Sequence, residues 1–117
     1  MIMNTNYIPK QQDIIWIDFE PSAGREIRKR RPAVVVSSDN YSKQTGFVAV
    51  CPITHGQKRL QEQGMLVKVI APDVDGFVNP FQLHTFDFVI RKAVKITELD
   101  DYAFAQVVQL YNFIFEA

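Results

Sequence analysis

The chain has 117 residues, 47% of them apolar, with 13 basic and 13 acidic side chains. That size holds one core, so a single domain over residues 1–117 is expected, and the composition excludes a fibre or a disordered chain. Zero net charge excludes a protein that coats nucleic acid indiscriminately, because non-specific affinity scales with the phosphates neutralised.

No apolar run approaches the ~20 residues that span a bilayer, and MIMNTNYIPKQQ lacks the order of a signal peptide. The single cysteine, Cys51, excludes an internal disulfide framework and fits a reducing compartment. A soluble, cytoplasmic domain with no membrane contact is the expectation.

IIWIDFE (14–20) alternates, is aromatic and branched, and ends at Pro21, so it reads as a strand. PSAGREIRKRR (21–31) has no period and contains Pro and Gly, the signature of a loop. PAVVVSS (32–38) is a strand whose continuous apolar run implies burial on both faces. DNYSKQTG (39–46) is turn-rich, with Asp39 placed to cap a short helical turn. FVAVCPIT (47–54) is a further strand, in which Pro52 leaves a gap in the ladder at an edge or bulge.

HGQKRLQEQG (55–64) is polar and reads as mobile. MLVKVI (65–70) is a strand, FVNPFQLHTFDFVI (77–90) two short strands interrupted near Pro80 and around Thr85, and KAVKI (92–96) one more. From Thr97, placed as a cap with Asp100 at the third helical position, the period changes. Leu99, Ala103, Val107, Leu110 and Ile114 repeat at helical spacing, with Phe104, Val108 and Tyr111 widening the stripe. Short strands followed by one amphipathic helix describe a small barrel or curved sheet.

The charge is uneven. Residues 1–59 hold nine Lys and Arg against five acids, and five of those cations (Arg25, Arg28, Lys29, Arg30 and Arg31) crowd the loop ahead of the apolar strand. A solvated loop is the ordinary reading of such a run. Arg31 differs from its neighbours. Pro32 restricts it to extended backbone and ties it to the strand, whereas Arg25 to Arg30 read as mobile. A guanidinium held in this way suits a phosphate, which it grips with two parallel hydrogen bonds, or a carboxylate at the barrel rim. Glu26, the lone acid of the cluster, is kept ionised by its surroundings, as a counter-ion or as a base. Alternation puts Thr54 on the face opposite Cys51 and Ile53, His55 with Ile53, and Gln82 with His84. One Cys and two separated His make no zinc site, and no Gly-rich phosphate loop is present.

Taken in order, Asp18-Phe19-Glu20-Pro21, Gly24, Glu26, Arg31-Pro32 and Ser37, then Pro52-Ile53-Thr54, then Gln82-Leu83-His84, resemble the MazF/PemK (Kid, ChpB) toxins of type II toxin–antitoxin pairs. The resemblance covers most of the chain. It departs at Phe81, where the family has an acid or amide, and at Lys29, often a glycine.

The resemblance implies an SH3-like small barrel with inserted loops and a C-terminal helix, assembled as a homodimer. It implies a metal-independent endoribonuclease, needing no cofactor, that cuts single-stranded RNA through 2′-hydroxyl attack and is blocked by a cognate antitoxin. By position, Arg31 would stabilise the phosphorane, Thr54 would bond the phosphate, and Glu26 would orient Arg31 or act as base. Arg25, Arg28, Lys29, Arg30, His55, Gln82 and His84 would contact RNA. Two alternatives share the barrel: a CcdB-like gyrase poison and a non-catalytic SH3-like binding module. The loops 56–64 and 71–80, which would select bases, carry no readable pattern.

Overall fold

The computed structural model describes residues 7–20 and 29–116. The first two strands, β1 (Asp13–Glu20) and β2 (Lys29–Val35), pair antiparallel, with Ile14 opposite Val34 and Ile17 opposite Arg31. A short helix, α1 (Asp39–Thr45), leads into β3 (Phe47–Thr54), which pairs with the other edge of β2. There follow α2 (Lys58–Glu62), β4 (Val67–Lys68), β5 (Phe77–Val78), β6 (His84–Asp87) and β7 (Val94–Glu98). The chain closes with α3 (Asp101–Tyr111) and a 3-10 turn over Asn112–Phe115. The strands form one curled antiparallel sheet in the order β4-β5-β3-β2-β1-β7, with β6 also paired to β3, so the architecture is a half-barrel carrying a C-terminal helix.

Both faces of this sheet are covered, which explains why VVV at 34–36 is apolar throughout rather than alternating. Ile14, Val34, Cys51 and Ile53 point to one face, where Leu99, Ala103 and Val107 of the C-terminal segment pack on them. Ile15, Ile17, Ala33, Val35, Val48 and Val50 point to the other, against Phe86 and Phe88.

Several local expectations shift. The second strand begins at Lys29, not at Pro32, because Lys29, Arg30 and Arg31 pair with Glu20, Asp18 and Ile17. Three cations expected in a loop are therefore strand residues. The Ser38 hydroxyl, not Asp39, caps α1 by accepting from the Tyr41 N–H (3.1 Å). The polar stretch 55–64, expected to be mobile, holds α2. Thr85 lies inside β6 rather than interrupting it, and the 65–70 strand shrinks to two residues.

The C-terminal helix starts later than expected. Thr97 belongs to β7, opposite Ile14, and Asp100 is the cap, its carboxylate accepting from the Ala103 N–H (3.0 Å). Pro52 is not at a sheet edge. It lies where β3 exchanges β6 (last pair Val50–His84) for β5 (first pair Ile53–Val78), so its missing N–H falls in the gap between two partners. Among the described residues, no helix is long and apolar enough to cross a membrane.

Candidate functional site

Polar groups meet apolar walls where β1 and β3 end and β2 begins. Arg31 shares the face of Ala33 and Val35, and Thr54 shares that of Val48 and Val50, so the two point the same way. The β2–β3 pairing ends at Ala33 with Pro52, two residues short of Arg31 on one strand and of Thr54 on the other. Arg31 is half-buried, with its guanidinium carbon 6.0 Å from the centre of the Phe19 ring. The Oγ1 of Thr54 is out of contact with solvent and has no hydrogen-bond partner among the described residues. Leaving such a hydroxyl unpaired costs on the order of 1–3 kcal/mol.

Phe19 is held in turn. Its ring meets His84 edge-on (5.3 Å) and Phe86 edge-on (5.1 Å), while His84 stacks on Phe86 (5.5 Å, 10° between planes). Arg91 lies over the far side of this group, 4.6 Å from the Phe86 centre, and donates from Nη1 to the carbonyls of Asp18 (3.2 Å) and Phe19 (2.8 Å). The end of β1 is thereby clamped from behind, and the wall against which Arg31 rests is fixed.

Two cavities, each of about 400 Å³, open on either side of Arg31, which lines both. The first is aromatic and amide-bearing: Phe19, Pro52, Phe81, Gln82, Leu83 and His84. Phe81 also stacks on Phe113 of the 3-10 turn (6.4 Å, 21°), so the C-terminus supports this cavity. The second is lined by Trp16, Pro32, Ile53, His55, Asp73, Val74 and Asp75. There His55 Nε2 lies 3.2 Å from Asp75 Oδ2, and Lys68 Nζ lies 3.6 Å from its other oxygen. The hydrogen bond with His55, then the charge of Lys68, hold the Asp75 carboxyl below its ordinary range.

Of the residues expected to form a site, Arg31, Thr54, Gln82, His84 and His55 gather at this end of the sheet. Arg30 does not join them. Its Nη1 donates to the buried Asp18 carboxylate (2.8 Å) and its Nη2 to the Lys92 carbonyl (2.7 Å). The expectation that Arg30 moves with the loop is corrected: alternation turns it to the face opposite Arg31, and an ion pair holds it there. Glu26, Arg25 and Arg28 lie outside the described residues, as does the side chain of Lys29. The sequence reading missed Phe19 as the wall behind Arg31, although it continues the alternation of Ile15 and Ile17. It also missed Trp16, Asp73 and Arg91, which only long-range contacts bring here, and it marked Phe81 only as a departure from the family pattern. Among the described residues, no three His, Cys, Asp or Glu side chains converge as metal ligands would.

Residues 10–115 match the family of PemK-like, MazF-like toxins of type II toxin–antitoxin systems. The chain is 41% identical to the endoribonuclease toxin MazF of Escherichia coli K12 over 95 residues, 80% of this chain and 81% of that protein. Among solved structures it resembles MazF of Deinococcus radiodurans (TM-score 0.80, 29% identity, 94% of this chain and 98% of that one). MazF in a MazE–MazF complex from the same organism is equally similar (TM-score 0.82, 29% identity, 94% and 97%). With the fold and the family match over almost its whole length in agreement, the chain belongs to the PemK-like, MazF-like toxins of type II toxin–antitoxin systems.

Proposed function

We propose that the protein is the toxin of a type II toxin–antitoxin pair and acts as an endoribonuclease on single-stranded RNA, without a metal. Family membership sets aside the gyrase-poison and plain binding-module alternatives. The observation that carries the mechanism is Arg31: a strand-anchored guanidinium set against the Phe19 ring and lining two cavities that each have room for a base.

The ribose 2′-oxygen attacks the adjacent phosphorus and its proton goes to a base. The bond from phosphorus to the 5′-oxygen then breaks, and that oxygen takes up a proton. The products are a 2′,3′-cyclic phosphate and a 5′-hydroxyl. Charge grows on the non-bridging oxygens of the phosphorane, where Arg31 offers a preorganised two-pronged donor. Its position against the Phe19 ring limits the reorganisation needed as charge develops. Thr54 donates its otherwise unpaired hydroxyl to the same phosphate, and Glu26 orients Arg31 or takes the 2′ proton. Gln82 and His84 line the first cavity and His55 the second, where they contact the flanking nucleotides.

The expected partner is a cognate antitoxin, as MazE is for MazF in the Deinococcus complexes. The expected assembly is a homodimer in the cytoplasm. Purified protein should cut a long single-stranded RNA in excess EDTA, and the fragments should accept a 5′ phosphate without prior phosphatase treatment. Activity lost in EDTA and restored by magnesium would overturn the mechanism.

A further inference from the structure

The cavity on the Trp16 side of Arg31 has a chemistry unlike that of the first. Its floor is apolar, built from Ile53 and Val74, and its wall is the indole of the one tryptophan in the chain, which is 39% exposed. An exposed indole in a concavity next to a phosphate-gripping arginine is placed to stack a nucleobase. The remaining lining is acidic, which is unexpected beside a path of phosphates. Asp75 is offset by His55 and Lys68. Asp73 is not: it makes no hydrogen bond or ion pair with the described residues, and its charge stands open in the cavity.

A lone carboxylate there repels the RNA backbone unless it turns to the N–H edge of a base. Carboxylates read amino groups, accepting from cytosine N4 or its counterparts on adenine and guanine. Uracil has no amino group, and it flanks its single ring N–H with two carbonyl oxygens that a carboxylate repels.

We infer that this cavity is a nucleobase subsite selecting a base with an exocyclic amino group next to the scissile phosphate, with Trp16 as the stacking plane and Asp73 as the acceptor. The inference rests on the ribonuclease reading. It makes Asp73 a specificity-determining residue, and it makes the loop between β4 and β5 the source of sequence preference.

The single tryptophan supplies the readout. The protein is titrated with 2′-O-methyl oligomers of A, C and U, which bind but cannot be cut by 2′ attack, while Trp16 fluorescence is followed. Oligo(A) and oligo(C) should quench Trp16 at concentrations about tenfold lower than oligo(U). Asp73→Asn should bring the three within about twofold, because an amide also donates to uracil carbonyls. Asp73 is exposed and unpaired, so the variant should keep its fold, which circular dichroism checks. Equal quenching by all three oligomers with the unmodified protein overturns the inference. So does a discrimination that Asp73→Asn leaves intact, which would free the carboxylate for a basic protein segment instead. Cleavage of natural RNA is measured separately: its absence would sink the ribonuclease reading, whereas cleavage with no preference against uracil would sink only the subsite.

Discussion

Two adjacent arginines show how alternation divides labour at the residue scale. Arg31 faces the cavities, and Arg30 faces away into an ion pair with a carboxylate that is only 3% exposed. Arg31→Lys keeps the charge but loses the planar fork. Removing one preorganised donor at a developing oxyanion costs roughly 10²–10³ in rate, so single-turnover cleavage should fall by that factor while RNA affinity changes little. Arg30→Ala should do the reverse. It strips the guanidinium from a buried acid in a half-solvated pair, which lies between the surface and fully buried cases and costs on the order of 2 kcal/mol. Urea unfolding should register that loss, and cleavage by the folded fraction should persist. Thr54→Val replaces an unpaired hydroxyl by a methyl of the same shape. Its melting temperature should stay level or rise, and cleavage should drop about tenfold or more. A fall in both would mean that the hydroxyl has a structural partner.

At the scale of elements, the site depends on how β5 seats against β3. Gly76, just before β5, has φ +135°, and a Cβ there would lie 2.8 Å from the Thr54 carbonyl oxygen. No backbone can yield that contact cheaply, because Thr54 is itself paired to Phe77. Gly76→Ala should therefore cost about 2 kcal/mol or more in stability. It should also depress cleavage further than stability alone explains, since it displaces Thr54. A denaturant midpoint together with a cleavage rate at a temperature where the variant is folded separates the two effects. The clamp formed by Arg91 on the carbonyls of Asp18 and Phe19 is the corresponding support on the β1 side.

Across the whole molecule, the described residues leave apolar surface that one core does not use. Tyr102 is 75% exposed, and Phe113, Ile114 and Phe115 cluster on the 3-10 turn after α3. Ile114 was expected on the buried stripe of the helix. The helix ends at Tyr111, and the tighter 3-10 winding carries Ile114 out of phase. An aromatic surface of this kind, next to Phe81 and the first cavity, is suited to association with a second copy. Sedimentation at micromolar concentration should give about twice the 13.5 kDa chain mass. A species at the monomer mass would remove the dimer from the proposal.

The curled, mainly β sheet with its C-terminal helix was legible in the sequence. It rests on local chemistry, alternation and helical period, as does the expectation that Pro32 holds Arg31 still, whereas the role expected of Thr54 came from the family resemblance. Boundaries were less legible. Lys29 to Arg31 enter a strand, and Thr97 stays in one, because β1 supplies hydrogen-bond partners that no local propensity can anticipate. The separation of Arg30 from Arg31 needed the β1–β2 register, which sets Asp18 opposite Arg30 and puts both on the same face. The two cavities, the Phe19–His84–Phe86 wall and the unpaired Asp73 join residues dozens of positions apart. Such contacts arise from how the sheet curls, so only the tertiary structure decides them.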